Sequence, residues 1–109
     1  VRKALSIRGP SFIHVLSPCP PGWRFASDRT IEMGKLAVKS GMWILYEREY
    51  GKVTINGVSK AALKKPIPLE EYLAPQGRFK GINRQAIDSL ISQRDRTAQR
   101  LQREEEGIC

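Results

Sequence analysis

An apolar run near the amino terminus predicts a strand. Residues 11–17 have the sequence SFIHVLS and follow Gly9 and Pro10. A short, nearly continuous apolar run of this kind is typical of a strand buried on both faces of a parallel sheet. Residues 18–22, PCPPG, must form a loop, because proline donates no amide to a ladder and glycine interrupts regular structure. We therefore expect a central parallel strand that leads into a proline-rich loop.

The next segment has helical periodicity. Ser27 or Asp28 can cap this helix, and Gly41 stands where a left-handed residue ends one. Its expected buried face consists of Ile31, Gly34, Ala37 and Val38. Strand, loop and helix thus follow one another as in α/β folds.

The middle of the chain predicts a hairpin and then an extended connection. Residues 43–50 and 52–55 flank Gly51 and are rich in aromatic and β-branched side chains in partial alternation. This hairpin belongs at a sheet edge or on the surface as a flap. Residues 56–68 carry lysines, a glycine and two prolines with few large apolar groups, which predicts an extended connection over a surface, either mobile or borrowed by a neighbour.

Two helical segments complete the pattern. Residues 69–73 suit a single helical turn, and Asn83 can cap a long terminal helix. The buried stripe expected for that helix is Ala86, Ile87, Leu90 and Ile91. Beyond Gln93 this stripe thins to Ala98 and Leu101, and residues 94–106 are predicted to be solvated, with Arg100 and Glu104 paired at i,i+4 spacing.

Composition narrows the class of protein. A chain of 109 residues with 40% hydrophobic residues allows one small domain, or part of one. It opens on Val1 in what looks like the middle of an amphipathic helix, so we expect the natural protein to begin further upstream. No apolar run approaches the roughly 20 residues of a membrane helix, and no secretory signal is apparent, which predicts a cytoplasmic protein. The net charge of +8 favours an anionic partner without naming it.

A search for catalytic and metal-binding residues finds little. The one histidine, His14, falls within the predicted strand, where a core role is commoner than a general base. Cys19 and Cys109 lie far apart and do not suggest a disulfide framework. Two cysteines and one histidine close no tetrahedral metal site within the chain. We therefore assign no catalytic and no cofactor-binding residue, and taken alone Cys19 is an ordinary buried thiol in a proline-rich turn.

Residues 9–23, GPSFIHVLSPCPPGW, nevertheless resemble a known family, the thiamine-diphosphate-binding beta subunits of 2-oxoacid:ferredoxin oxidoreductases of the pyruvate synthase type. Residues 31–38, GMW at 41–43, LYE at 45–47, LEEYL at 69–73 and QGRFK at 76–80 keep the family's order. The resemblance covers almost the whole chain and matches the carboxyl-terminal part of such a subunit. It implies that Cys19 is the fourth ligand of the four-iron four-sulfur cluster nearest the thiamine.

The resemblance also implies a fold and its division. Residues 1–55 would be the last strand, cluster loop, helix and hairpin of a doubly wound, parallel-sheet thiamine-diphosphate-binding domain. Residues 56–109 would be a carboxyl-terminal extension with a linker and the terminal helix. The other three cluster cysteines, the diphosphate and magnesium motif and the thiamine contacts are expected upstream. The 109-residue chain would then be incomplete alone and inactive in isolation.

The reaction implied is the oxidative decarboxylation of a 2-oxoacid, with electrons passed through iron-sulfur clusters to ferredoxin and the acyl group taken by coenzyme A. The implied partners are the other oxidoreductase subunits and ferredoxin. Which 2-oxoacid is used is not encoded here, and pyruvate follows from the resemblance alone. Arg24 and Arg29 flank the loop and are candidates for docking an acidic ferredoxin.

Local chemistry suits a ligand role for Cys19. Pro18, Pro20 and Pro21 restrict the backbone around the thiolate and remove three amide donors, which would keep a cluster's reduction potential low. Trp23 and Phe25 are expected to anchor the loop by burial. Residues 77–80, GRFK, fit a phosphate or subunit contact as well as they fit a solvated turn, and Cys109 fits a frayed terminal thiol.

Two other readings compete with an oxidoreductase subunit. The first is a small basic RNA-binding or ribosome-associated module, suggested by the net charge and by the arginines of residues 93–100. Interleaved acids and the absence of an aromatic stacking motif on the predicted strands argue against nucleic acid. The second is a non-catalytic interaction piece that persists as a folded fragment of the subunit.

Overall fold

The computed structural model describes residues 1–107, so that the predicted frayed thiol of Cys109 lies outside the described residues. The helices are α1 (Arg2–Ser6), α2 (Pro20–Trp23), α3 (Thr30–Lys39), α4 (Gly57–Lys64), α5 (Leu69–Leu73) and α6 (Arg84–Glu105). The strands are β1 (Tyr46–Glu49) and β2 (Lys52–Ile55), and 3-10 turns occupy Ser27–Arg29 and Gly77–Phe79. No helix in this part of the chain has the length and apolar character needed to cross a membrane.

The predicted hairpin is confirmed. β1 and β2 pair antiparallel, with Tyr46 opposite Ile55. Tyr50 and Gly51 form the connection with φ angles of 49° and 80°. Positive φ at both residues is the geometry of a type I′ turn, whose twist matches that of the strands it joins. The short turn therefore fixes the register, which turns Val53 and Ile55 inward.

The long terminal helix and its cap are also confirmed, although its packing extends further than predicted. The Asn83 side chain accepts a hydrogen bond from the Ala86 amide at 2.8 Å, as an N-cap should. Ala98 and Leu101, where the stripe was predicted to thin, are buried, so the prediction that the end of the helix is solvated was wrong at these two positions. Leu101 packs against the inward face of β2, so the hairpin supplies the apolar surface that the helix stripe needs.

The predicted extended connection was wrong as well, because most of it is α4. Asn56 caps this helix by accepting from the Val58 amide at 3.0 Å. The buried Ser59 hydroxyl accepts a hydrogen bond from the Leu45 amide at 2.8 Å, which ties the helix to the entry of the hairpin. The cap pairs one of the free amides at the start of the helix, and packing of α4 on α3 stabilises it further. The predicted turn at α5 is confirmed.

The predicted strand over residues 11–17 is absent, and the parallel sheet with it. This segment is extended, and Phe12 is 89% exposed. A buried parallel strand requires neighbouring strands for its backbone groups, whereas the sheet within residues 1–107 consists of the hairpin alone. His14 is correspondingly an exposed residue, not a core one, with its ring edge-to-face on Trp43 at 4.7 Å.

Two apolar clusters hold the structure. The larger joins α3 to α5 and the start of α6 through Met33, Ala37, Leu69, Tyr72, Leu73 and Ile87. Ile31 was expected on the buried face of α3 but is 75% exposed, since Met33 and Ala37 define that face. Gly41, at φ 77°, follows α3 with the left-handed geometry predicted for it. The smaller cluster joins α6 to the hairpin through Val53, Ile55 and Leu101.

The fold is thus a mixture of helices and a small antiparallel sheet, compatible with a piece of an α/β protein. Helix α6 runs past both clusters, from Ile87 in the larger to Leu101 in the smaller. At 1.5 Å per residue these side chains lie about 21 Å apart along the helix axis. The loop at Cys19 borders the larger cluster through its neighbours Leu16, Trp23 and Phe25.

Candidate functional site

Cys19 occupies an exposed position between the extended amino-terminal segment and α2. It makes no disulfide within the described residues. Its backbone is extended, with φ −116° and ψ 102°, and it caps the one-turn helix that follows. The Cys19 carbonyl accepts a hydrogen bond from the Trp23 amide at 2.8 Å. The thiol therefore faces solvent from a backbone that is itself hydrogen-bonded.

The sequence around the sulfur restricts what can contact it. Pro20 and Pro21 are the first two residues of α2, so neither supplies an amide at the start of the helix. Gly22 is the first residue of the helix with an amide hydrogen, and a Cβ built on it would be only 3.2 Å from the Cys19 Sγ. Glycine at this position leaves room for the sulfur. The result is an accessible thiol with few neighbouring hydrogen-bond donors.

Both ends of the loop are attached to the larger core cluster. On the amino-terminal side Leu16 packs on that cluster, and Pro18 lies against Gly34 of α3, where an added Cβ would sit 3.7 Å from the proline Cγ. On the other side Trp23 packs edge-to-face with Phe25 at 6.1 Å and with Tyr72 at 6.4 Å. The predicted anchoring by Trp23 and Phe25 is confirmed.

A second segment holds the loop from outside. Residues 76–79, which we name the brace, lie beside α2, and the Gly77 amide donates to the Arg24 carbonyl at 2.7 Å. The guanidinium carbon of Arg78 lies 4.1 Å from the centre of the Trp23 ring and 4.7 Å from that of Phe79. The sequence predicted a phosphate contact, a subunit contact or a solvated turn for residues 77–80. The structure shows a different contact, which is with the cysteine loop.

Gln76 anchors the brace in the core. Its side chain is buried, with Nε2 donating to the Tyr72 carbonyl at 2.7 Å. Its Oε1 accepts from Nε of Arg78, also at 2.7 Å. Both polar atoms of this buried amide are thereby paired, Nε2 with the α5 backbone and Oε1 with Arg78.

The two arginines proposed to flank the loop, Arg24 and Arg29, differ in whether the side chain is paired with a carboxylate. Arg29 donates from Nε and Nη2 to the two carboxylate oxygens of Glu32, each at 2.9 Å. These hydrogen bonds raise the pKa of Arg29 and lower that of Glu32. Arg24 follows α2 in a left-handed conformation, φ 61°, and its side chain is exposed. Of the pair, Arg24 retains the charge best placed for an external anion.

Whether this site can hold a metal depends on which donor side chains lie together. Within residues 1–107 no group of three or more histidine, cysteine or acidic side chains converges as metal ligands would. Cys19 offers a single soft thiolate donor on a restrained, accessible loop. Such a donor fits one corner of a cluster whose other ligands come from elsewhere in an assembled protein. It does not hold a cluster by itself.

Comparison with known proteins identifies relatives over most of the chain, although no family model matches it. The "Ketoisovalerate oxidoreductase subunit VorB" of Pyrococcus furiosus is 44% identical over 90 residues, which is 83% of this chain and 28% of that protein. The "Pyruvate synthase subunit PorB" of Methanosarcina barkeri is 46% identical over 73% of this chain and 26% of its own length.

The same subunit of Thermotoga maritima is 40% identical over 93% of this chain and 32% of the relative. The chain therefore spans about a third or less of the length of these curated relatives. Identity at this level over most of the chain reflects common descent.

Proposed function

We propose a function for this chain from the premise that it belongs to the family of the PorB and VorB oxidoreductase subunits. It is part of a 2-oxoacid:ferredoxin oxidoreductase of the pyruvate synthase type. The complete enzyme converts a 2-oxoacid to acyl-CoA and carbon dioxide and passes the electrons to ferredoxin. The relatives are named for pyruvate and for ketoisovalerate, which supports a 2-oxoacid as substrate class.

Within that enzyme, Cys19 supplies one ligand to a four-iron four-sulfur cluster. The observation that carries this proposal is the combination of an exposed thiol with a loop attached to the core on both sides. A reactive or ligating thiol must be reachable, and a restrained loop loses little entropy when its sulfur is bound. A buried structural cysteine would show the opposite pattern, with the sulfur packed inside.

A cluster held by Cys19 and by ligands outside this chain would supply one-electron transfer between the substrate site and ferredoxin. This chain would bind one iron of the cluster through Cys19 and would limit polar contacts around that sulfur. Pro20 and Pro21 remove the first two amides of α2, and Gly22 leaves space beside Sγ. Fewer donors to the sulfur favour the low reduction potential that such an electron carrier needs.

The fold proposal concerns the exposed amino-terminal segment. We place residues 1–55 in a thiamine-diphosphate-binding, parallel-sheet domain of the complete subunit, with thiamine diphosphate and magnesium held by residues outside this chain. Residues 56–109 form the carboxyl-terminal extension. Phe12 and Val15 expose apolar surface that neighbouring strands would cover. Amides of residues 12–16 should exchange slowly in the complete subunit and quickly in this chain alone, and fast exchange in both would refute a buried strand.

The partners follow from the same proposal. They are the other subunits of the oxidoreductase, ferredoxin, and coenzyme A with the 2-oxoacid in the assembled enzyme, and the location is the cytoplasm. Arg24 is the residue beside the loop that best suits contact with an acidic ferredoxin, since Arg29 is paired with Glu32.

The test is the variant Cys19→Ala in the assembled oxidoreductase. Its iron content should fall by about one cluster or its cluster should convert to a three-iron form. Ferredoxin reduction should nearly vanish, while exchange of carbon dioxide with the substrate carboxyl persists in part. The readouts are iron analysis, electron paramagnetic resonance of the reduced enzyme and the two activities.

The matched control is Cys109→Ala, which removes the other cysteine of the chain. That variant should keep the iron content, the spectrum and both activities. If Cys19→Ala behaved like the control, the thiol would have no ligand role and the proposal would be refuted.

A further inference from the structure

We propose that Arg78 is a positioning residue for Cys19, acting through Trp23. This inference rests on the proposed ligand role of Cys19 and adds a second segment of the chain to that site. Arg78 is 59 positions from Cys19 in the sequence, and no motif joins the two. The contacts of the brace with α2 and with the residue that follows it, Arg24, join them in the fold.

The first step is the stacking of the guanidinium. Arg78 lies over the Trp23 ring at 4.1 Å and is held there by its Nε hydrogen bond to Gln76. Gln76 is in turn fixed to the α5 backbone at Tyr72. Gln76 thus orients the guanidinium from the core side, and the guanidinium packs on the Trp23 ring from the solvent side. A planar guanidinium suits both tasks, since it stacks and donates at once.

The second step is the backbone clamp at Gly77. Its amide donates to the Arg24 carbonyl at 2.7 Å. A Cβ at Gly77 would lie 2.7 Å from the Arg24 Cβ and 3.1 Å from the Arg24 carbonyl oxygen, so the approach requires glycine. This clamp holds the end of the one-turn α2 in register with the brace.

The third step leads from Trp23 to the cysteine. The Trp23 amide donates to the Cys19 carbonyl at 2.8 Å, which closes the single turn of α2. A four-residue helix has almost no intrinsic stability, so its geometry depends on what packs against it. Movement of Trp23 therefore moves the backbone of Cys19. The Trp23 ring also packs on Phe25 and Tyr72, and the guanidinium of Arg78 covers its solvent-facing side.

A positioning role is separable from a general structural one, because Arg78 itself is exposed and outside both core clusters. Its removal leaves Met33, Leu69 and Tyr72 packed as before. The apolar core should therefore stay intact, and any loss of thermal stability should be limited to what the freed Oε1 of Gln76 causes. The effect should appear in the loop and in the cluster it holds.

The experiment compares Arg78→Met with Arg103→Met in the assembled oxidoreductase. Methionine keeps a long apolar stem but removes the cation and the Nε donor. Arg103 is a control for lost charge, since it is an exposed residue of α6 with no ion pair in the described chain. Losing an exposed cation–π contact should increase the open population of the loop by about two- to fivefold.

Two readouts follow that increase. Hydrogen exchange at the Trp23 and Gly77 amides should accelerate by that factor, as should loss of cluster iron to a chelator. The reduced cluster's electron paramagnetic resonance signal should broaden or shift. Arg103→Met should change none of these. Arg78→Lys keeps the positive charge but lacks the planar guanidinium that stacks on Trp23, so it should behave like Arg78→Met. Hydrogen exchange and iron release at the unmodified rates in Arg78→Lys would overturn the proposed role of stacking.

The outcomes separate this inference from the proposed function. Unchanged exchange in Arg78→Met would overturn the positioning role, even if Cys19→Ala had lost the cluster. Faster exchange with an unaltered spectrum and iron release would also overturn it, since the brace would then hold the loop without affecting the cluster. A retained cluster in Cys19→Ala would instead refute the ligand role itself.

Discussion

The extended segment, residues 11–17, and helix α6 place apolar side chains in opposite surroundings. Val15 is 73% exposed, while Leu101 is 1% exposed. Residues 11–17 are mostly apolar, yet Phe12, Ile13 and Val15 lie at the surface. Helix α6 is far more polar, yet its sparse apolar residues are packed along its whole length.

The difference lies in where the backbone amides and carbonyls of each element find their hydrogen-bond partners. A helix bonds its own amides and carbonyls, so α6 needs only a narrow stripe to dock on the hairpin. An extended apolar segment has unpaired backbone groups until other strands lie beside it. Apolar composition alone therefore does not bury a segment when its hydrogen-bonding partners belong to another part of a protein.

The largest effect should come from truncating the buried member of this pair. Leu101→Ala opens a cavity between α6 and β2 and should lower the free energy of unfolding by about 2–5 kcal/mol. Val15→Ala, the matched control in the extended segment, should change it by about 0.5 kcal/mol or less. Urea unfolding of the 109-residue chain measures both. Equal losses in the two variants would show that the contrast between these regions is wrong.

An intermediate effect is expected at the cap of α4. Asn56→Ala removes the acceptor for the Val58 amide and should cost about 0.5–2 kcal/mol of unfolding free energy. Asn83→Ala at the start of α6 removes an equivalent bond to Ala86 and calibrates the measurement. If residues 56–68 were an extended connection instead, Asn56→Ala would be neutral while Asn83→Ala remained destabilising.

The smallest effect is a change in acid sensitivity at the end of α6. Glu105 accepts from the Ile55 amide at 2.6 Å and pairs with Lys60 at 3.1 Å. The backbone hydrogen bond from Ile55, aided by Lys60, lowers the pKa of Glu105 below its ordinary 4.5. Its ionised form therefore stabilises the fold above about pH 4.5, and this contribution is lost as pH falls through the lower, folded-state pKa.

Glu105→Gln should thus be less stable at neutral pH and lose less stability on acidification than the unmodified chain. The control Glu106→Gln removes the next carboxylate, which has no ion pair among residues 1–107. Urea midpoints between about pH 3 and pH 7 provide the comparison. Parallel pH curves for Glu105→Gln and the unmodified chain would contradict the contact with the hairpin.

The sequence predicts elements whose signals are local. Gly51 between two runs rich in aromatic and β-branched residues marked the hairpin, and Asn83 before a periodic stripe marked α6, because turn and cap chemistry act over a few residues. Helix α4 was missed because its glycine and lysines resembled a loop, while its cap at Asn56 was overlooked.

The site could be predicted only in part for a related reason. Cys19 and its prolines form a contiguous motif, so their loop was evident from the sequence. The brace was not, because stacking of Arg78 on Trp23 joins positions 55 residues apart. The strand over residues 11–17 was predicted from an apolar run that has no neighbouring strand among residues 1–107.

The most direct measurement of the central claim is the position of iron in the assembled oxidoreductase, located by anomalous X-ray scattering at the iron edge in a crystal structure. The account predicts a four-iron cluster with one iron bonded to Sγ of Cys19, and Arg78 still stacked on Trp23 beside it. Iron bound entirely by other cysteines, with the Cys19 thiol left without metal, would contradict it.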